Sequence, residues 1–560
     1  MIQPTPKQEA IRDHEALDLV VIAPAGCGKT EALALRVAGL IDRGAVSHPH
    51  RVLVTTFSNR ARDNIRDRLK AYLPRSSLRD RVTVSNFHGI SARIFRAHAA
   101  VIGLDSTMEL PEGDWVRQEC QSRGLSYDAS DAVEGALRRL KLEQLTDDEV
   151  DERLAAAGEP TALRIERKRR SENRLTYDDL PRVADLILAN DGVAGLYANH
   201  FGAVVVDEFQ DLTTQQLRIV NRIGFGRTTY AGDLAQGIYG FTGAQPADTD
   251  RQIRRECSTV IEFAESHRSS PAVLRVVNSM ATLTGGQVLE CADASSWPSG
   301  GLAGGLAFSG VDAEAKFAVD FAQFVLARAP RQRIGVISRI TSRRRFVDAA
   351  MESSGLEFHR WDDPILDTDT AKAVKSLLSR LDRAEFAAAP DPLAFMREQA
   401  HMDALQDPSA RSSLGDALSW CVELLQAGCS PSDVRSRIRV GDDQTLLNVP
   451  GVHLLTGHVG KGQQFDWVLV VGAEEDCIPF FKASTDAELA EEARILSVMI
   501  SRARHGVIIC CTSRVPTLAG QERPREASRY LSTMSTAGVL NGPAIRAWLD
   551  GVDWEAVAAR

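Results

Sequence analysis

Ala203-Val204-Val205-Val206-Asp207-Glu208-Phe209-Gln210-Asp211 is the stretch that decides the fold. An apolar run ends in two adjacent carboxylates, followed by an aromatic, a glutamine and a third carboxylate. A short apolar run bounded by charge predicts a central strand buried on both faces. Such a strand delivers Asp-Glu at its carboxyl end, where open α/β sheets keep their ligands. Upstream, Leu19-Val20-Val21-Ile22-Ala23 predicts a second buried strand, and Glu31 to Ile41 has helical periodicity. Between them runs Ala23-Pro24-Ala25-Gly26-Cys27-Gly28-Lys29-Thr30. It fits the phosphate-loop pattern G-x-x-x-x-G-K-[ST] except that Ala23 replaces the first glycine.

These residue types imply nucleotide hydrolysis. Gly26 and Gly28 let the loop turn its amides toward phosphates, and the following helix adds its positive end. Lys29 supplies charge to the phosphates and Thr30 a hydroxyl to Mg²⁺. Asp207 then holds Mg²⁺ directly or through water, and Glu208 is the base for the attacking water. Cys27 sits in the loop, where a thiolate is favoured. Its two readings are a redox role and a small side chain at a variable position.

The 560 residues predict several domains, and 44% hydrophobic with 25% charged residues is ordinary for globular protein. With a formal net charge of −9, contact with nucleic acid must come from local basic patches. Nine cysteines without a Cys-x-x-Cys pair or a metal-ligand cluster read as reduced thiols of a cytoplasmic protein. No signal-like amino terminus and no bilayer-length apolar run is seen.

The motifs on either side resemble those of the UvrD/Rep/PcrA family of superfamily 1A helicases. Asp207 to Asp211 with Gln215-Gln216 resembles its second motif. Pro6-Lys7-Gln8-Glu9-Ala10 is similar to the motif whose glutamine, here Gln8, reads adenine. Thr55-Thr56-Phe57-Ser58-Asn59-Arg60-Ala61 and Ser85-Asn86-Phe87-His88-Gly89 resemble stretches that touch single-stranded DNA, which implies contacts by Phe57, Asn59, Phe87 and His88. Leu175 to Leu180 is similar to the Phe-Asp-Asp-Leu segment. Ala231 to Phe241 resembles the third motif, which implies that Gln236 senses the γ-phosphate while Tyr239 and Phe241 stack on bases. Stacking tolerates any base and is worth about 1–3 kcal/mol each. Glu265-Ser266-His267-Arg268-Ser269-Ser270 resembles Asn-Tyr-Arg-Ser, Thr456 to Phe465 the fifth motif, and Glu491 to Arg504 the sixth. By resemblance Arg268 and Arg502 reach the γ-phosphate, His267 covers adenine, Gln464 takes a nucleotide-side position and His458 lies on the DNA path.

There are departures. Phe241-Thr242-Gly243-Ala244 stands for Trp-Arg-Gly-Ala, His267 for tyrosine, Gln464 for glutamate, and Ser497 for an aromatic.

The resemblance implies an α/β protein of two RecA-like lobes, parallel sheets flanked by helices, each interrupted by a mainly helical insertion. The first lobe is expected at 1–97 and 175–270 with insertion 98–174, the second at 271–385 and 449–560 with a short insertion 386–448. The basic run Arg164 to Arg170 reads either as a solvated helix face or as a phosphate track. Arg339, Arg343, Arg344 and Arg345 form a second expected phosphate contact. Gly300-Gly301-Leu302-Ala303-Gly304-Gly305 is expected to be a flexible loop, and the tail with Trp548 and Trp554 one or two amphipathic helices. The implied activity is an ATP- and Mg²⁺-dependent motor on single-stranded DNA and duplex junctions, with 3′-to-5′ polarity. The alternative, resembling the compact GajB component of Gabija defence systems, is a DNA-stimulated ATPase that regulates a nuclease or repair partner and unwinds weakly.

Overall fold

The computed structural model describes residues 4–111, 115–361, 363, 365–366, 368–402, 408–426, 428–440, 448–517 and 520–560. Residues 112–114, 403–407, 427 and 441–447 of the two expected insertions lie outside the described residues.

Two sheets carry the molecule. The first contains β1 (Leu19–Ile22), β2 (Arg51–Thr56), β3 (Val82–Asn86), β4 (Phe201–Asp207), β5 (Thr228–Gly232) and β6 (Val260–Glu262). Their spatial order is β3-β2-β4-β5-β1-β6, with parallel neighbours throughout. Helices on both faces explain why β1 and β4 are apolar runs rather than alternating ones. Val204, Val205 and Val206 are wholly buried. Strand β5 lies between β1 and β4, and its Ala231 is opposite both Val21 and Asp207. That register sets Asp207 level with the end of β1, beside the loop that follows it.

The second sheet contains β7 (Leu302–Phe308), β8 (Arg333–Ser338), β9 (Phe358–Arg360), β10 (Gly451–Thr456), β11 (Phe465–Val470) and β12 (Ala503–Thr512). It is also parallel, in the order β9-β10-β8-β11-β12-β7. The structure is therefore the expected α/β arrangement of two parallel sheets flanked by helices.

Each sheet is interrupted by helices with their own small core. Between β3 and β4, helices Trp115–Ser122, Tyr127–Lys141, Asp147–Ala156 and Pro160–Ser171 enclose Cys120, Leu137, Val150, Leu154 and Ile165. Between β9 and β10, helices from Thr368–Arg380 to Pro431–Arg437 enclose Val374, Leu378, Met396, Leu418 and Val434.

Three expectations need correction. Residues 366–385, assigned to the second lobe, join this second helical core through Leu366, Val374 and Leu378, so that insertion starts earlier. The glycine-rich segment is not a flexible loop, because Leu302 onward is edge strand β7. A Cβ at Gly304 would lie 2.5 Å from Ile545, so glycine there lets the helix Gly542–Gly551 seat on the strand. The tail, by contrast, is as expected: helices Gly542–Gly551 and Trp554–Ala559 pack on the second lobe, with the rings of Trp548 and Trp554 5.9 and 5.8 Å from that of Trp467. The basic run is consumed in ion pairs: Arg169 is buried on Glu166 and Asp147, Lys168 meets Glu119, Arg167 meets Asp151 and Arg170 meets Asp148. Among the described residues no helix is long and apolar enough to cross a membrane.

Candidate functional site

Strand β1 ends in the loop Ala23–Gly28, and the helix Lys29–Asp42 begins on Gly28. Ala23 is buried, its amide donating to the Gly232 carbonyl, and the Pro24 carbonyl accepts from the Cys27 amide, with Ala25 between them. Gly26 and Gly28 have φ of +87° and +82°, the left-handed region that glycine enters at no steric cost. A Cβ at Gly26 would stand 2.5 Å from Arg268 Cβ, and one at Gly28 2.6 Å from Gln8 Nε2. The loop thus runs between Gln8, whose amide donates to the Gly28 carbonyl at 3.3 Å, and Arg268. Of the two readings of Cys27 the small side chain fits: it is buried, and burial pushes its thiol up to about 12.

Lys29 Nζ lies 2.5 Å from Glu208 Oε2 and 3.4 Å from Asp207 Oδ1. Burial alone would lower the Lys29 ammonium, but Glu208 and Asp207 hold it up. Burial would raise Glu208; Lys29 and Lys461 instead draw it down to about 2, while burial raises Asp207. Glu208 has φ of +60°, a left-handed conformation that costs of order 1–3 kcal/mol for a residue with a Cβ and turns its carboxylate off the strand axis. Gln210 Nε2 donates to Glu208 Oε2 at 2.5 Å, and Gln210 Oε1 accepts from the Asp233 amide at 3.0 Å. Gln210 therefore braces Glu208 against the end of β5, a role that the sequence motif did not disclose. Gln236 is buried, its amide donating to Asp233 at 2.9 Å. Thr30 is the second residue of the helix that Lys29 opens.

Arg502 is 1% exposed, and its Nε donates to the Val498 carbonyl at 2.8 Å. Arg268 Nε and Nη1 are buried with no hydrogen-bond partner. The two are held close because Ser269 Oγ donates to the Ala503 carbonyl at 2.7 Å and the Ser270 amide to the Arg504 carbonyl at 2.8 Å. Neither arginine has a carboxylate partner among the described residues. Burial lowers Arg268 to about 10; burial, then the Arg268 charge, lowers Arg502 to about 9. His267 is exposed beside this pair, with its amide donating to the Gly26 carbonyl at 3.1 Å. Gln464 is exposed, and its backbone carbonyl accepts from Arg333 at 2.7 Å.

Four aromatic rings meet where the lobes face one another. Phe57 and Tyr239 stack with centroids 4.8 Å apart and planes 19° from parallel. Phe241, 58% exposed, meets Tyr239 edge-on at 5.8 Å and His458 at 5.5 Å. Burial lowers His458 to about 4, so its ring is neutral. His88 is half-buried with its ring edge-on to Tyr177 at 5.6 Å, and Asn59 accepts from Asn86 at 2.9 Å.

Two expected nucleic-acid contacts are placed differently. Phe87 is buried in the first lobe's core with Ile90 and Ile94. Its spacing to those residues, three and seven positions, was itself a core-face pattern. Arg339 is bound at both ends by Glu492, at 2.7 and 3.0 Å, and lies over the Phe480 ring. Its neighbours also miss the role: Arg343 is buried between Glu314 and Glu474, Arg344 pairs with Asp348, and Arg345 donates to the Pro516 carbonyl.

The sequence comparisons agree with this geometry. Residues 4–253 match the UvrD/REP helicase N-terminal domain and residues 435–514 the UvrD-like helicase C-terminal domain, together more than half of the chain. The chain is 26% identical over 554 residues to "ATP-dependent DNA helicase UvrD2" of Mycobacterium bovis, covering 91% of this chain and 79% of that one. It is 29% identical over 309 residues to "ATP-dependent DNA helicase UvrD1" of the same organism, covering 50% of this chain and 39% of that one. It is 30% identical over 253 residues to "ATP-dependent DNA helicase PcrA" of Leuconostoc citreum, covering 42% and 33%. With both family regions matched in chain order around one phosphate loop and the paired arginines Arg268 and Arg502, the chain belongs to the UvrD/REP helicase family.

Proposed function

We propose that the chain is an ATP- and Mg²⁺-dependent DNA helicase that moves 3′ to 5′ along single-stranded DNA and separates duplex. The observation that carries this reading is the pair Arg268 and Arg502: Arg268 has buried donors without a partner, Arg502 is buried within electrostatic reach of Glu208, and neither has a carboxylate partner among the described residues. Buried cations need a partner, and a polyphosphate bound at the Gly26–Gly28 loop satisfies both. Gln8 and His267 flank the base, the loop amides and Lys29 take the phosphates, and Thr30 and Asp207 hold Mg²⁺. ATP supplies the phosphoryl group that passes to water. Lys29, paired with Glu208 in this state, exchanges that partner for phosphate oxygens and leaves the Glu208 carboxylate, still held by Gln210, to accept the water proton. Gln236, Arg268 and Arg502 then report the γ-phosphate to both lobes, and Phe57, Tyr239, Phe241 and His458 carry the bases.

The exposure of Gln464, where a carboxylate is expected, favours a second reading. In it the chain is an ATPase that regulates a nuclease or repair partner and unwinds weakly.

The test is Mg²⁺-dependent ATPase with and without single-stranded DNA, beside strand displacement on 3′- and 5′-tailed duplexes. Lys29→Ala and Glu208→Gln each lower turnover about 10²–10⁴-fold, Glu208→Gln while still binding ATP. Full turnover by Glu208→Gln rejects the site. Robust displacement of 3′-tailed duplex by the chain alone rejects the accessory reading.

A further inference from the structure

Lys461, on the turn between β10 and β11, is a lobe-two residue that the motif reading left without a role. It is 9% exposed, and its Nζ meets three groups of the first lobe at once. It lies 2.6 Å from Asp211 Oδ2, 2.8 Å from the Gln236 carbonyl and 4.7 Å from the centroid of the Tyr239 ring.

Each of those groups belongs to a different part of the proposed machine. Asp211 closes the tight turn Phe209–Asp211, its amide donating to the Glu208 carbonyl at 3.0 Å, so it is tied through backbone to the hydrolytic carboxylate. Gln236 holds the γ-phosphate position. Tyr239 is the inner ring of the aromatic cluster, stacked on Phe57 and met by Phe241 and His458.

We infer that Lys461 is a positioning residue through which a base stacking on Tyr239 alters the hydrolytic centre at Glu208, and through which the nucleotide in turn alters the stack. The inference rests on the proposed helicase reading.

Asp211 is 2% exposed, so its carboxylate has little water to turn to when Lys461 moves. Withdrawal of the second lobe removes the ammonium from Asp211, the Gln236 carbonyl and the Tyr239 ring in one step. A base that takes a face of Tyr239 shifts the same ammonium. Two further contacts brace this segment from the second lobe: Arg494 donates to the Gly237 carbonyl at 2.8 Å, and Glu491 accepts from the Gly240 amide at 2.9 Å. Both end on backbone between Gln236 and Phe241. Lys461 reaches beyond them to the turn that carries Glu208.

The test measures kcat and KM for ATP with and without oligo(dT), and oligo(dT) affinity with and without a non-hydrolysable ATP analogue and Mg²⁺, in wild type, Lys461→Met and Lys461→Arg. Coupling between two sites is reciprocal, so one ratio describes both directions of binding. Lys461→Met is expected to reduce that ratio, and the stimulation of kcat by oligo(dT), by about tenfold, with Lys461→Arg restoring most of both. Asp211→Ala, which removes the acceptor of the same contact from the other lobe, is expected to match Lys461→Met and serves in its place if that variant folds poorly. A purely structural lysine would lower both rates together and leave the ratios at the wild-type value; that result overturns the inference. Failure of the helicase reading looks different: wild-type turnover insensitive to oligo(dT), or undiminished in Lys29→Ala.

Discussion

Two groups of buried cations are treated in opposite ways by this chain. Where the first insertion meets its lobe, Lys141, Arg169 and Arg182 are met by Asp147, Glu166 and Asp179, three charges against three. Lys141 lies 2.9 Å from Glu166 and 2.8 Å from Asp179; Arg182 lies 2.5 Å from Asp147 and 2.8 Å from Asp179. The three carboxylates approach within 4.8 Å of one another, a spacing that would suit a metal ion, but each is already engaged by a cation. Burial would raise the Asp179 carboxyl; Arg169, Lys141 and Arg182 hold it well below its ordinary value. At the nucleotide site Arg502 is as deeply buried, Arg268 Nε and Nη1 are buried with it, and neither arginine has a carboxylate partner among the described residues. Burial of charge alone does not mark function. Burial with donors left unmet, as at Arg268, does, because the fold tolerates that cost where a ligand removes it. Arg36 is also buried without an acid partner among the described residues, but the carbonyls of His14 and Ala16 accept from its guanidinium.

The largest expected effect tests the unpaired side. Arg502→Ala should lower kcat for ATP about 10³-fold or more, as loss of an arginine at transferring phosphate does. Its melting temperature, read by calorimetry, should hold or rise, since an unpartnered buried charge has gone. A fall in melting temperature would mean that Arg502 is structural. On the paired side the expectation reverses. Asp179→Asn leaves three buried cations under-neutralised and should cost about 3–5 kcal/mol in denaturant unfolding. The ATPase rate per folded molecule should change far less than in Arg502→Ala.

An intermediate case sharpens the comparison with the smallest effect. Arg343 is shared by Glu314 at 2.7 Å and Glu474 at 2.5 Å, beside Thr512 and Cys510. One cation cannot neutralise two buried acids, and burial raises Glu314 to about 7 against the pull of Arg343. A carboxyl raised in the folded state binds its proton more tightly there than in the unfolded chain. Its contribution is therefore present below the ordinary carboxyl value and lost as pH rises through about 7. Melting temperature should decline over that window, and Glu314→Gln should flatten the decline. An unchanged slope would exclude Glu314 as its source.

Legibility followed the range of the interactions. The phosphate loop and the Asp207-Glu208 strand were readable because a buried parallel strand and a glycine turn need particular residues in immediate succession. The role of Gln210 was not readable, since it depends on β5 bringing Asp233 alongside. Phe87 was misread because an aromatic after a strand serves a core or a base equally well. Only the helix face it shares with Ile90 and Ile94 decides between them. Gly304 was misread because a glycine required by a helix docking from residue 542 onward looks locally like flexibility.

By itself, the sequence determined the elements whose causes are local: two families of buried strands, the Gly26–Gly28 turn, Lys29 and Thr30 opening a helix, and carboxylates at the end of β4. Tertiary structure alone decided which charges are neutralised. Arg339 and Arg502 are both arginines of the second lobe, yet one closes on Glu492 and the other is buried without an acid. The physical reason is that a charge's role depends on what lies within a few ångströms and on how far water is excluded. For residues hundreds of positions apart, only the packing of the two lobes sets either.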